Sequence, residues 1–264
     1  FLDEAGRGAP WARWAQALAS TLMVLGADRV VAQSDFMIRD AVGRLPVSGK
    51  RFVRIYNPVD IDRIHAAASE RPPSSSTVGR ERAGPHLVSV GRLSWQKGYD
   101  LLLKAFVTVR KEWAEATLTI LGEGEDRADL EAQIHDEGLS GAVYLPGFCE
   151  NPFPAIRAAD LFVSSSRYEG LSNAMLESLG LGIPVVATDC PGGGTEILQE
   201  GSNGWLAPAD DPSGLAQTIL NALSARCSLD AALIEARVRD RFGIERICAE
   251  YEEMFLSLVS GGVT

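Results

Sequence analysis

From residue 86 onward, short apolar runs alternate with amphipathic helical patterns, and this alternation constrains the fold more than any other feature of the sequence. The apolar runs have the length of strands, and the segments between them repeat apolar residues at helical spacing. The predicted strands are HLVSVGRL (86–93), LTILG (118–122), VYLPG (143–147), DLFVSSS (160–166), PVVATD (184–189) and GWLAP (204–208). The predicted helices cover residues 99–113, 127–138, 152–159, 172–182, 211–225, 229–241 and 245–259.

Strands that are apolar nearly throughout, and that are joined by crossover helices, favour a parallel sheet covered on both faces. The connections between such strands are expected to be right-handed. We therefore predict an α/β fold in which a doubly wound, Rossmann-like parallel sheet of about six strands forms the main domain.

Residues 1–60 show a different pattern, namely a helix, a strand DRVVAQS (28–34), a helix near residues 35–44 and a strand FVRIYN (52–57). One βαβ unit cannot bury both faces of its strands. We expect this region to be the remnant of a second Rossmann-like domain with its interdomain linker, and the chain alone to be inactive because the rest of that domain is missing. The other expected divisions are an exposed loop at 61–85, the main domain at 86–244 and a C-terminal helix and tail at 245–264.

The composition narrows the function classes. A formal net charge of −10 makes nucleic acid an unfavourable main partner. The four cysteines show no paired spacing and the three histidines form no cluster, so we expect free thiols in a reducing, cytoplasmic compartment and no metal site.

The most apolar stretch, WARWAQALASTLMVLG (11–26), contains Arg13 and is shorter than the roughly 20 residues of a spanning helix. It is predicted to be a buried or half-buried helix. The alternative is a membrane-surface helix, because Trp11 and Trp14 lie near one end, and this would give peripheral association with the cytoplasmic membrane.

Polar or glycine-bearing turns follow the predicted strands, at the edge where open parallel sheets bind ligands. These turns are GRLSWQKG (91–98), GEGE (122–125), GF (147–148), YEGLS (168–172) and DCPGGG (189–194). The first turn carries two cations, Arg92 and Lys97, which could neutralise a diphosphate. The alternative for both cations is pairing with surface acids.

Two carboxylates bracket the start of the helix predicted after strand 160–166. Glu169 leaves the strand end, Ser172 or Asn173 is expected to cap the helix, and Glu177 follows in its second turn. The backbone N–H groups of the helix end favour an anion, while the carboxylates accept hydrogen bonds from hydroxyl groups. This combination suits a sugar nucleotide, although solvated acids on a capped helix would give the same pattern. The PGGG and GEGE glycines decide nothing by themselves, and GEGE lacks the dinucleotide fingerprint.

These motifs resemble those of the retaining GT-B glycosyltransferases of family 4, the glycosyl transferases group 1. GRLSWQKG is similar to the family's phosphate-binding segment, EGLSNAMLE (169–177) to its Glu-x7-Glu motif, and IPVVATDCPGGGTEIL (183–198) to the stretch that follows. IYNPVD (55–60) resembles the linker between the two domains. The resemblance covers about residues 50–260.

The resemblance implies roles for individual residues. Gly91, Arg92 and Lys97 would bind the donor diphosphate, and Glu177 would hold the ribose hydroxyls. Glu169 would hold hydroxyls of the donor sugar, and the catalytic set would be Glu169, Arg92 and Lys97. The remaining implied donor contacts come from the backbone of Gly147 and Phe148 near the base, and of Gly170, Leu171 and Ser172 near the sugar and phosphate. No metal or other cofactor is implied, and the helix 245–259 would cross back to the N-terminal domain.

The leading hypothesis is transfer of a hexose or N-acetylhexosamine from a nucleotide diphosphate sugar to a glycan, lipid or other acceptor, with retention. The resemblance favours a uridine donor and leaves a guanosine donor open. The acceptor would be bound through the missing N-terminal domain, so its identity is not readable here. The alternatives are a sugar-nucleotide epimerase or phosphorylase of similar architecture, and a nucleotide-sugar-binding module without turnover.

Overall fold

A computed structural model describes residues 10–70, 83–199 and 201–261. The strands are β1 Val30–Ala32, β2 Phe52–Arg54, β3 His86–Val90, β4 Thr117–Leu121, β5 Val143–Gly147, β6 Leu161–Ser164, β7 Val185–Thr188 and β8 Gly204–Ala207. The helices are α1 Pro10–Gly26, α2 Asp35–Arg44, α3 Ile61–Ala68, α4 Tyr99–Glu112, α5 Arg127–Asp136, α6 Phe153–Arg157, α7 Asn173–Gly180, α8 Gly194–Ile197, α9 Pro212–Ala225, α10 Ala231–Phe242 and α11 Ile244–Gly261.

The strands form two parallel sheets. The larger sheet has six strands in the order β5-β4-β3-β6-β7-β8, and the smaller pairs β1 with β2. The chain builds outward from β3 through β4 to β5, and then returns to the other side of β3 for β6, β7 and β8. The predicted α/β fold class with a doubly wound parallel sheet is confirmed. The β1–β2 sheet with α2, called the small unit below, is the region predicted to be the remnant of a second Rossmann-like domain, and that origin stays a prediction.

Helices cover both faces of the large sheet because its strands are apolar on both sides. Leu87 of β3 belongs to a core cluster that includes Phe106 of α4 and Ile219 of α9. Its neighbour Val88 points to the opposite cluster, with Leu176 of α7. All five of these side chains are fully buried.

The expected exposed loop at 61–85 is wrong in its first part, because residues 61–68 form α3. Asp60 caps this helix by accepting a hydrogen bond from the Arg63 backbone N–H at 2.9 Å. Ile61, Ile64 and Ala68 are buried in the core cluster under the large sheet. The spacing of these three apolar residues is that of one face of a helix, so the helix could have been predicted from the sequence. Most of the Pro-, Ser- and Arg-rich stretch 71–85 lies outside the described residues.

The last helix begins at the junction between the two units. The Val59 backbone N–H donates to the carbonyl of Phe242 at 2.8 Å, and the Ile244 N–H donates back to the Val59 carbonyl at 3.1 Å. The crossing of α11 to a larger N-terminal domain stays a prediction. Within the described part of the chain, no helix is both long and apolar enough to cross a membrane.

Candidate active site

The candidate site lies where the strand order reverses, between β3 and β6. These strands are neighbours in the sheet, but the chain leaves them toward opposite edges. Their carboxyl ends therefore diverge into a crevice, which is where open α/β sheets bind ligands. The loop after β3 carries Arg92 and Lys97, and the loop after β6 carries Glu169. The sequence predicted both loops at this edge, and the structure brings them together at its centre.

Lys97 and Glu169 form an ion pair through Nζ and Oε1. Their side chains are 22% and 14% exposed, so the pair is largely withdrawn from water. The Ser166 hydroxyl donates to the same carboxylate oxygen at 2.9 Å. Both residues were predicted at this edge from the sequence, whereas their contact and the role of Ser166 were not. A cation that can bind phosphate and a carboxylate that can accept hydrogen bonds from sugar hydroxyls are thus in direct contact at this edge of the sheet.

The backbone around Lys97 holds its side chain in this place. Gly98 follows a 3₁₀ turn, Trp95–Lys97, and has φ +62°, a conformation that favours glycine. A Cβ on Gly98 would also lie 2.1 Å from the carbonyl oxygen of Ser165. The Ser165 hydroxyl donates to the Lys97 carbonyl at 2.9 Å. A Cβ on Gly91 would lie 3.1 Å from Lys97 Cε, so Gly91 leaves room for the lysine stem.

Glu177 occupies the second turn of α7, as predicted. The side chain is half-buried, and burial raises the pKa of its carboxyl to about 7, with Arg63 acting in the opposite direction. Partial burial sets Glu177 apart from a fully solvated acid, and its role in the site stays a prediction. Glu177 belongs to the same helix whose N-terminal N–H groups can bind an anion.

The start of α7 differs from the predicted cap. Ser172 is the N-cap residue, but its side chain makes no capping hydrogen bond. The Asn173 side chain instead accepts a hydrogen bond from Asn57 at 2.7 Å. Leu171 and Ser172 are buried and Gly170 is half-buried, so this turn offers its backbone rather than capping side chains.

Three predicted residues stand apart from the Lys97–Glu169 pair. Arg92 is exposed on the loop after β3, and Phe148 is 77% exposed after β5. Gly147 has φ +96°, and the Glu123 carboxylate lies over it, 2.8 Å from where a Cβ would stand. Among the described residues, no hydrogen bond or ion pair joins Arg92, Gly147 or Phe148 to the central pair.

The structure also reveals an arginine that the sequence analysis missed. The Arg167 guanidinium forms two hydrogen bonds to the Asp100 carboxylate, at 2.7 and 2.8 Å, and one to Asp210 at 3.1 Å. It also lies 4.8 Å from the ring centre of Trp95 and donates to the Trp95 carbonyl. The side chain is only 10% exposed. Arg167 thereby connects the loop after β6 to the loop after β3. Its contact in the latter loop, Trp95, lies two residues before Lys97.

The PGGG turn after β7 forms backbone hydrogen bonds with the turn that carries Glu169. The Glu169 N–H donates to the Pro191 carbonyl at 3.0 Å, and the Gly193 N–H donates to the Gly170 carbonyl at 2.7 Å. A Cβ on Gly192 would lie 2.3 Å from the Glu169 carbonyl oxygen. The glycines, which decided nothing in the sequence, therefore allow two backbones to meet. Gly122 and Gly124 likewise allow the loop after β4 to approach the loop after β3. A Cβ on either residue would collide with the carbonyl oxygen of Gly91 or Leu93, respectively.

Comparison with known proteins identifies the family. The model of the family described as glycosyl transferases group 1 matches residues 84–225, which is more than half of the chain. The chain belongs to this family. The matched residues contain the loops after β3, β4, β5, β6 and β7, which the fold brings to one edge of the sheet.

Among curated glycosyltransferases, an uncharacterized enzyme of Methanocaldococcus jannaschii is 41% identical over 111 residues, which are 42% of this chain and 27% of that protein. N-acetylgalactosamine-N,N'-diacetylbacillosaminyl-diphospho-undecaprenol 4-alpha-N-acetylgalactosaminyltransferase of Campylobacter jejuni is 28% identical over 235 residues, 88% of this chain and 61% of that protein. The chain thus spans less than two thirds of either relative.

Solved GT-B structures confirm the fold of this chain. HepE from Anabaena in complex with UDP-glucose has a TM-score of 0.79 and 23% identity, with coverage of 91% of this chain and 67% of that one. Sucrose-phosphate synthase from Thermosynechococcus elongatus has a TM-score of 0.83 and 18% identity, with coverage of 99% of this chain and 65% of that one. At these identities the likeness concerns the fold.

Proposed function

We propose that this chain provides the donor side of a retaining glycosyltransferase. The enzyme would move a hexose or N-acetylhexosamine from a UDP-sugar to a glycan, lipid or other acceptor. The observation that carries the proposal is the Lys97–Glu169 ion pair at the switch point of the sheet. A nucleotide diphosphate sugar needs a cation and a hydroxyl-binding carboxylate at adjacent positions, because its phosphate and its sugar are adjacent.

In this proposal each end of the pair takes a different part of the donor. Lys97 and Arg92 neutralise the diphosphate, which gains negative charge as it leaves, and the uncapped N-terminus of α7 adds its N–H groups. Glu169 accepts hydrogen bonds from the sugar and Glu177 from the ribose. The exposed ring of Phe148 and the backbone of Gly147 lie on the same edge for the base.

The comparisons support uridine as the base. HepE from Anabaena was solved with UDP, with UDP and glucose, and with UDP-glucose, and it shares the fold over 88–91% of this chain. A relative from Streptococcus agalactiae, 30% identical over 132 residues, is a UDP-N-acetylglucosamine--peptide N-acetylglucosaminyltransferase subunit. The nucleotide and sugar of this chain are proposed on these grounds.

We also propose that catalysis needs no metal, because side-chain cations and helix N–H groups can balance the leaving diphosphate. The acceptor would be a glycan or lipid-linked saccharide held by a larger N-terminal domain, of which β1, α2 and β2 are a part. The Campylobacter jejuni relative, whose name includes a diphospho-undecaprenol acceptor, supports a lipid-linked class. Such an acceptor would place the protein in the cytoplasm, at the periphery of the membrane.

The test is calorimetric titration of UDP into Arg92→Ala and Lys97→Ala variants in the presence of EDTA. Each substitution should weaken UDP binding by about 1.5 to 3 kcal/mol, the range of a hydrogen bond to a charged group. Lys104→Ala is the matched control, because Lys104 is an exposed cation on α4 outside the site, and it should bind UDP as the parent does. Unchanged affinity in both site variants would refute the phosphate assignment, and loss of parental UDP binding in EDTA would refute the metal-free proposal.

A further inference from the structure

The carboxylate of Glu196 makes several hydrogen bonds between the large sheet and the small unit. It lies on α8, directly after the PGGG turn of the large sheet. Its Oε2 accepts a hydrogen bond from the Asp35 backbone N–H at 3.0 Å, and its Oε1 accepts one from the Phe36 N–H at 3.1 Å. The Tyr56 hydroxyl donates to Oε2 at 3.2 Å. All three donors belong to the small unit, and Glu196 is 160 or more residues away from two of them.

These N–H groups are the ones that a helix cannot satisfy by itself. Asp35 and Phe36 are the first two residues of α2, and their N–H groups have no partner within the helix. The N-cap residue Ser34 satisfies the third position, accepting from the Met37 N–H at 3.2 Å. Glu196 completes the cap from the other unit, and its negative charge matches the positive end of the helix dipole. The helix start is thus complete only while the two units are together.

Glu196 is also fixed on its own side. Arg241 donates to the Glu196 backbone carbonyl at 2.9 Å, which ties α8 to α10. Three residues earlier in the chain, Gly193 lies between the two units, since a Cβ there would be 3.0 Å from Ser34 Cβ and 2.8 Å from the Gly170 carbonyl oxygen. The same turn bonds to Glu169 and Gly170 through its backbone. The contact with α2 and the contact with the Glu169 turn are therefore made by one short, continuous segment.

From this arrangement we infer that Glu196 is a positioning residue, which holds the small unit at a set position relative to the Glu169 turn. It does not touch the donor in this assignment. The inference rests on the proposed function in one respect, because the small unit is taken as the edge of the acceptor-binding domain. Transfer requires the acceptor and the reacting carbon to meet within a narrow range of positions. The hydrogen bonds of Glu196 to Asp35, Phe36 and Tyr56, which we call the Glu196 clasp, would set that range beside Glu169.

The test compares Glu196→Ala, Glu196→Gln and the control Thr195→Ala in the intact protein. Thr195 is the exposed neighbour of Glu196 on the same short helix. Amide hydrogen exchange at Asp35 and Phe36 should accelerate about tenfold or more in Glu196→Ala, because the two acceptors are lost. Glu196→Gln keeps one acceptor oxygen and should give an intermediate rate, while Thr195→Ala should match the parent. Exchange over α7 should be unchanged in every variant.

The functional arm uses UDP binding and glucose transfer from UDP-glucose to a lipid-linked saccharide, the acceptor class proposed above, because water is not held by the small unit. Glu196→Ala should bind UDP within about twofold of the parent, because the donor groups are untouched, while its kcat falls about tenfold or more and KM for the donor moves far less. Unchanged exchange at Asp35 and Phe36, or equal acceleration over α7, would overturn the clasp. A parent protein that does not bind UDP would instead contradict the proposed function, and the exchange experiment would still decide the clasp.

Discussion

Replacement of Glu177 by Gln is expected to stabilise the ligand-free protein at pH 8 by about 3 kcal/mol, the free energy that corresponds to its raised pKa. Burial raises the pKa of the Glu177 carboxyl from 4.5 to about 7, so the fold opposes its ionisation. At pH 8 the carboxyl is charged in the folded and the unfolded protein, and the folded protein bears the full cost of burying that charge. A glutamine keeps the shape of the side chain and removes the charge.

The sign of the pH dependence follows from the raised pKa. Below pH 4.5 the carboxyl is protonated in both states, and Glu177→Gln should have little effect on the free energy of unfolding. Between pH 4.5 and about 7 the folded state binds more protons than the unfolded state, so parental stability falls as pH rises. The gain from Gln should therefore grow through this window and be complete above it.

Urea unfolding without nucleotide, at pH 5 and pH 8, measures this difference. Glu253→Gln is the matched control, because Glu253 is an exposed glutamate on α11 and should show no such pH-dependent gain. A Glu177→Gln gain that is equal at both pH values, or a loss of stability at pH 8, would show that Glu177 is not a desolvated acid. Stabilisation by removal of this charge is expected of a residue kept for ligand binding rather than for folding.

Gly192→Ala is the second substitution with a large expected effect. Its Cβ would lie 2.3 Å from the Glu169 carbonyl oxygen, so either the PGGG turn or the Glu169 turn must move. Overpacking of this kind costs about 1–3 kcal/mol of stability. A displacement of Glu169 by about 1 Å should lower sugar transfer about a hundredfold, because the reaction depends on position at that scale.

Gly194→Ala provides the matched control for this prediction. Gly194 lies in the same glycine run, at the start of α8, and a Cβ there meets no atom within 4 Å. It should keep its activity and gain up to about 1 kcal/mol from the lower flexibility of alanine. Thermal unfolding and transfer rates of both variants, measured well below their Tm, test the pair. Equal activity in the two variants would mean that the PGGG turn does not position Glu169.

The regular elements of the main domain could be predicted because each is encoded locally. Apolar runs of strand length and the helical spacing between them are properties of neighbouring residues, and every predicted strand from residue 86 onward was found. The helix α3 was also encoded locally, in Ile61, Ile64 and Ala68, but its place after a predicted linker led to the loop assignment. The cause of that error was the assumed domain boundary rather than a lack of signal.

The site could be predicted only as far as its loops. Strand order brings the turns after β3 and β6 together, so Lys97 and Glu169 were expected on one edge. Their direct ion pair depends on tertiary contacts, which include the hydrogen bond from Ser166 to Glu169. It also depends on the positive φ angle of Gly98, which directs the chain next to Lys97. Glu196 could not be assigned at all, because its partners Asp35 and Phe36 are distant in sequence and meet it only when two sheets pack together.

The most direct test of the two-carboxylate donor site is parallel titration of Glu169→Gln and Glu177→Gln with UDP and with UDP-glucose. At pH 8, where the Glu177 carboxyl is charged, Glu177→Gln should weaken UDP binding by about 1 to 3 kcal/mol, because an amide replaces a charged acceptor for the ribose. Glu169→Gln removes the ion pair with Lys97 but no proposed contact to the nucleotide, so UDP affinity should stay nearly intact. The same substitution should reduce affinity for UDP-glucose, because Glu169 is assigned to the sugar. If both variants lose UDP affinity equally, or if neither titration changes, the assignment of Glu177 to the ribose and Glu169 to the sugar is wrong.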